Sequence, residues 1–62
     1  MKRVELVRHL IKEGCTLIRE GSRHSIFINL ATRRSSSVPR HKEINNFTIH
    51  KICRDLGVTD IS

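Results

Sequence analysis

Four histidines are the residues in this chain best suited to chemistry: His9, His24, His41 and His50. An imidazole with an unperturbed pKa near 6.5 takes up and releases protons close to neutrality. His24 follows Gly21-Ser22-Arg23 and opens an apolar run. A strand ladder would hold it on one side while a small-residue loop leaves it approachable on the other. A general acid or base fits there, and a polar residue at a hairpin end is the plain alternative. His41 follows Pro39-Arg40 in a loop, where Arg40 and His41 read either as phosphate contacts or as a surface turn. Arg33 and Arg34, at a predicted loop tip, carry the same two readings. His9 and His50 fall within helical sequence among charged neighbours and are expected to be solvated.

Other chemistries lack their residues. Glu5, Glu13, Glu20 and Glu43 are scattered, and Asp55 and Asp60 lie in or after the last helical segment. Convergent acids for a divalent-metal nuclease are not visible. There is no Walker or Rossmann glycine loop and no His-Glu-x-x-His, so neither metal nor cofactor is expected. Cys15 and Cys53 lie far apart without a Cys-x-x-Cys pairing, and read as reduced, buried small hydrophobes. Phe27 and Phe47 are the only aromatics and are assigned to the core. Without Tyr or Trp, a base-stacking platform is not expected.

Five elements would position these groups. From Arg3 to Lys12, Val4, Val7 and Ile11 form a helical stripe flanked by Leu6 and Leu10, and Gly14 suits a left-handed stop. No Ser, Thr, Asp or Asn precedes this helix, so its start is poorly specified. Cys15 to Arg19 and His24 to Leu30 are strand-like, joined by a Gly-containing hairpin loop, Glu20 to Arg23. Ala31 to Arg34 turns the chain into a short third strand, Ser35 to Val38. Pro39 ends that strand or marks an edge. A second helix runs from about Asn46 to Leu56, with Ile49, Ile52, Cys53 and Leu56 on one face, Asn45 or Asn46 as N-cap, and Gly57 as stop. The expected fold is α+β: a three-stranded antiparallel sheet with two helices on one face, in the order α-β-β-β-α.

A chain of 62 residues makes one domain, 1–62, and buries only about 60% of its unfolded surface. Twelve Lys/Arg against six Asp/Glu leave a net charge of +6. Such a field draws polyanions and speeds their encounter, so nucleic acid is the leading partner class. Met1-Lys2-Arg3 runs straight into charged helical sequence without an apolar signal region, and no apolar run approaches the ~20 residues that span a bilayer. A cytoplasmic location away from membranes is the expectation.

The ordered combination of Gly21-Ser22-Arg23-His24, then Val38-Pro39-Arg40-His41, then a closing helix with Leu56-Gly57 resembles the HicA toxins of HicA–HicB toxin–antitoxin systems, over nearly the whole chain. The resemblance implies a fold like that of a double-stranded-RNA-binding domain. It implies an mRNA-cleaving toxin, silenced by a HicB-type antitoxin, with His24 as the catalytic residue. Two departures stand out: many relatives have an aromatic residue where this chain has Cys15, and a proline near Leu30-Ala31. The mechanism then expected is metal-independent endoribonuclease action. Lys and Arg neutralise phosphates, His24 acts as general acid or base, and Ser22 and Arg23 are candidates for steadying the phosphorane charge. One histidine cannot take one proton and deliver another at once. A non-catalytic RNA-binding module of the same fold is the rival reading. A DNA-binding regulator is disfavoured, because no helix-turn-helix pair is adjacent in sequence.

Overall fold

The computed structural model describes all residues, 1–62, as α1 (Arg3–Lys12), β1 (Cys15–Glu20), β2 (His24–Asn29), β3 (Arg34–Pro39) and α2 (Asn46–Leu56). Class and order are those expected. Each strand is slightly offset from its expected bounds: β1 gains Glu20, β2 stops one residue before Leu30, and β3 takes in Arg34 and Pro39. Ladder pairing sets these ends, since Glu20 pairs with Ser25, Asn29 with Arg34, and His24 with Pro39.

The helix ends are chemically specified where the residues allow it. Asn45 accepts the Thr48 amide at 2.8 Å and caps α2. Gly57, at φ 70°, ends it, with the Gly57 amide bonded to Arg54 and the Val58 amide to Cys53. That pairing satisfies two otherwise orphaned carbonyls. Gly14 leaves α1 at φ 92°, as its position required. The start of α1 has no side-chain cap. A tertiary contact replaces it: the Arg3 amide donates to the Lys42 carbonyl at 2.8 Å, and Lys2 forms a β-bridge with Glu43.

Both connections in the sheet are antiparallel, in the order β1-β2-β3. Along β2, Ser25, Phe27 and Asn29 are buried while His24, Ile26 and Ile28 are not, so only one face is covered. Leu6 and Leu10 of α1 and Ile49, Ile52, Cys53 and Leu56 of α2 join Phe27, Val38, Cys15 and Ile44 in one core. Both helices therefore pack on the same face.

Expected core positions are corrected on both helices. Val4 and Ile11 are 57% and 60% exposed, while Leu6 and Leu10 are fully buried. The apolar residues of α1 permit two overlapping stripes, and docking on the sheet selects the leucine one. Phe47 is 78% exposed. It precedes Ile49 by two residues, about 200° around the helix, and so points away from the buried stripe.

A β-bulge in β1 changes the faces that its last residues occupy. Leu17 pairs with Phe27 but Arg19 pairs with Ile26, leaving Ile18 as the extra residue. Such an insertion reverses the alternation beyond it. Arg19 thereby joins Ile26 on the open face, and Glu20 turns toward the covered face beside Ser25.

Candidate functional site

The turn Gly21-Ser22-Arg23 delivers the chain into β2 at His24. It closes tightly: the Gly21 amide donates to the His24 carbonyl at 2.8 Å. A Cβ on Gly21 would lie 2.9 Å from that carbonyl oxygen, which is why the position takes glycine. His24 itself is exposed, on the open face at the first rung of the central strand.

Three depressions adjoin at His24, and no other side chain borders all three. One, of about 420 Å³, is lined by Ser22, Arg23, His24, Arg40 and His41, with no apolar wall. A second is bounded by Arg19, Gly21, Ser22, Arg23, His24 and Ile26. The third runs from His24 over the free edge of β3 toward α2, past Ser35, Ser37, Thr48 and Lys51, with Asp55 at its wall. An approaching polyanion would thus meet guanidinium groups, hydroxyls and the His41 imidazole around His24.

Beneath the turn lies a polar network. Ser25 is fully buried. Its hydroxyl accepts from Arg3 Nη2 at 2.8 Å and donates to the Glu20 carboxylate. Arg3 Nε also donates to the Pro39 carbonyl at 2.9 Å, tying α1 to the strand end opposite His24. Glu20 in turn holds Arg40 Nη1 at 3.0 Å, and that nitrogen donates to the Gly21 carbonyl at 3.1 Å. The Arg40 amide donates to the Arg23 carbonyl, also at 3.1 Å. The carbonyls of Gly21, Arg23 and His24 are therefore all engaged, and the turn is fixed from three sides.

The structure brings together some of the candidate residues and separates others. Ser22, Arg23, Arg40 and His41 surround His24. Arg33 and Arg34 lie at the opposite end of β2, beside Asn29. Five strand steps at ~3.4 Å place them about 17 Å from His24. Arg33 adopts a left-handed φ of 62° in that turn. Arg3, Glu20 and Ser25 were not among the candidates. Their proximity depends on the bulge and on docking of α1, and no local spacing signals it.

The two helical histidines lie at the surface, His50 exposed and His9 half-buried, and each also makes one tertiary hydrogen bond. Each donates from its ring to the C-terminal tail: His9 Nε2 to the Thr59 carbonyl at 2.7 Å, and His50 Nδ1 to the Asp60 carboxylate. Hydrogen bonds from His50 and then Ser62 lower the Asp60 pKa to about 2. Burial raises both thiols, with the Glu13 carboxylate adding to the effect at Cys15. Cys15 and Cys53 are free and buried, as expected, and remain neutral core residues. No group of three or more His, Cys, Asp and Glu side chains converges in a way that could hold a metal ion, and no helix is long and apolar enough to cross a membrane.

A family model described as the HicA toxin of bacterial toxin–antitoxin matches residues 4–58. No curated protein and no solved structure matches the chain.

Proposed function

The chain belongs to the HicA toxin family of bacterial toxin–antitoxin systems, and from that premise we propose that it is an endoribonuclease that cuts mRNA at His24 without a metal ion. The observation that carries this reading is the position of His24. It is the one titratable side chain shared by three adjoining depressions, exposed on a rigid strand and ringed by Ser22, Arg23, Arg40 and His41. The RNA phosphates bind to the arginines, whose charge offsets theirs. With no acidic cluster to hold a metal-bound water, the nucleophile nearest the scissile phosphate is the RNA's own 2′-hydroxyl. His24 removes its proton, O2′ attacks phosphorus, and the P–O5′ bond breaks with its electron pair moving to O5′, which takes up a proton. The products are a 2′,3′-cyclic phosphate and a 5′-hydroxyl end. Intramolecular attack removes much of the entropic barrier. Ser22 and Arg23 steady the charge that builds on the non-bridging oxygens. Arg33 and Arg34 lie too far from His24 to touch the same phosphate and contact RNA only beyond it.

The partner in this reading is a HicB-type antitoxin in the cytoplasm, which covers the His24 depressions and so blocks RNA. The test uses purified wild type and His24→Ala, incubated with RNA in EDTA. Wild type is expected to yield fragments ending in 2′,3′-cyclic phosphate or 3′-phosphate and to leave an all-deoxy strand whole, and His24→Ala to be inactive. RNA bound but never cut points instead to a binding module. Activity abolished by EDTA and restored by Mg²⁺ removes the metal-free mechanism.

A further inference from the structure

The depression at the β2 turn holds two imidazoles. His24 and His41 line it together, with Ser22, Arg23 and Arg40. Its volume of about 420 Å³ falls in the range of small-ligand clefts, about 300–1,000 Å³. His41 is exposed, yet its backbone is held at both ends. Before it, Pro39 pairs with His24, and the Arg40 amide is bonded to the Arg23 carbonyl at 3.1 Å. After it, the Lys42 carbonyl accepts the Arg3 amide at 2.8 Å, and Glu43 bridges Lys2. The segment carrying His41 is thereby laid along the turn carrying His24.

Cleavage at a 2′-hydroxyl needs two proton transfers, one from O2′ and one to the departing O5′. A single imidazole cannot be base and acid in the same step. Building on the nuclease reading above, we infer that His41 is the second proton-transfer residue: the general acid that protonates the leaving 5′-oxygen while His24 acts as base. In the balanced step, the O2′ proton passes to His24 and an O2′–P bond forms. The P–O5′ bond breaks with its electron pair moving to O5′, which takes the proton from the His41 imidazolium. His24 ends protonated and His41 neutral, and exchange with water resets both. Arg23 and Arg40 face the pair within the depression, Arg40 being held by Glu20. Arg19 borders the neighbouring depression, Lys42 follows His41 in the chain, and Lys51 and Asp55 line the groove beyond His24.

The leaving group provides the test. An alkoxide such as the 5′-oxygen of RNA needs a proton to depart, whereas 4-nitrophenolate does not. Wild type, His24→Ala, His41→Ala and His41→Gln, each checked for folding by circular dichroism, are assayed on a short RNA and on uridine 3′-(4-nitrophenyl phosphate). Both His41 variants are expected to cut RNA about 10²–10⁴-fold more slowly yet turn over the nitrophenyl ester within a few-fold of wild type. His24→Ala is expected to lose both activities. Equal loss on both substrates for the His41 variants makes His41 a binding residue and overturns the assignment. RNA cleavage unchanged in those variants overturns it too, as does a nitrophenyl ester turned over by His24→Ala but not by His41→Ala. A wild type inert on both substrates shows instead that the nuclease reading itself is wrong.

Discussion

Ser25 shows how much of this site rests on one small side chain next to the histidine. Its hydroxyl is the sole link between Arg3 and the Glu20 carboxylate, and it is fully buried. Removing it takes one hydrogen bond from Arg3, which keeps its bond to the Pro39 carbonyl, and one from the half-exposed Glu20 carboxylate, which still pairs with Arg40. A hydrogen bond lost where solvent and a second partner remain costs about 0.5–1.5 kcal/mol. Ser25→Ala is therefore expected to lower stability by about that amount in a denaturant titration, and to loosen the Gly21–His24 turn. A denaturation midpoint equal to wild type would show that Arg3 and Glu20 re-pair without the hydroxyl. The cysteines illustrate the opposite case. Cys15 and Cys53 sit in the core as neutral thiols, and burial is the main cause of their raised pKa values. They pack and take no part in the site.

At the scale of elements, the His24 site is a junction of three segments: the β1–β2 turn, the start of β2 and the stretch after β3. The bulge at Ile18 is the device that assembles it, because it points Glu20 toward Ser25 and Arg40 rather than toward solvent on the open face. The turn itself depends on Gly21. Adding a methyl group there places Cβ 2.9 Å from the His24 carbonyl oxygen, a backbone atom that cannot yield without moving the histidine. Misplacing a reacting group by about 1 Å can cost on the order of 10²-fold in rate. Gly21→Ala is expected to reduce RNA cleavage about 10–100-fold with the overall fold kept, as read from initial rates alongside circular dichroism. Full activity in this variant would mean that the turn does not position His24. The C-terminal tail has a comparable role for the helices, since His9 holds Thr59 and His50 holds Asp60.

For the whole molecule, the governing quantity is a net charge of +6 on 62 residues. Binding of RNA by such a body releases counterions, so log K falls linearly with log salt, with a slope of roughly −0.7 per phosphate contacted on a single strand. The separation of Arg23 from Arg33 and Arg34 makes this measurable by position. Arg23→Ala is expected to make the slope shallower by about 0.7 on any RNA that reaches His24. Arg33→Ala combined with Arg34→Ala is expected to change the slope only for strands long enough to span about 17 Å, five strand steps at ~3.4 Å. Fluorescence anisotropy with RNAs of increasing length, at several salt concentrations, reads both effects. An equal response to the two sets of substitutions on a dinucleotide would place the arginines on a common phosphate and contradict the separation.

The amino-acid order alone determined the five elements, the α2 core stripe, a helix start capped by Asn45 or Asn46, the Gly57 helix end and the place of His24 at the mouth of a strand. These are local properties: side-chain period, capping chemistry and turn residues act over a few positions, and a few positions can be read directly. Membership of the HicA family was legible in the same way, from two short motifs in order. What tertiary structure decided is everything that depends on distant pairing. It selected Leu6 and Leu10 over Val4 and Ile11, exposed Phe47, and replaced the missing cap of α1 with backbone from residues 42–43. It brought His41 to the depression of His24 and left Arg33 and Arg34 at the far end of the sheet. The arrangement of Arg3, Glu20, Ser25 and Arg40 belongs to the same class, because a single bulged residue sets which face Glu20 occupies. One extra residue reverses a strand's faces without altering its composition, so the outcome is set by the register of the pairing and not by the residues taken in order.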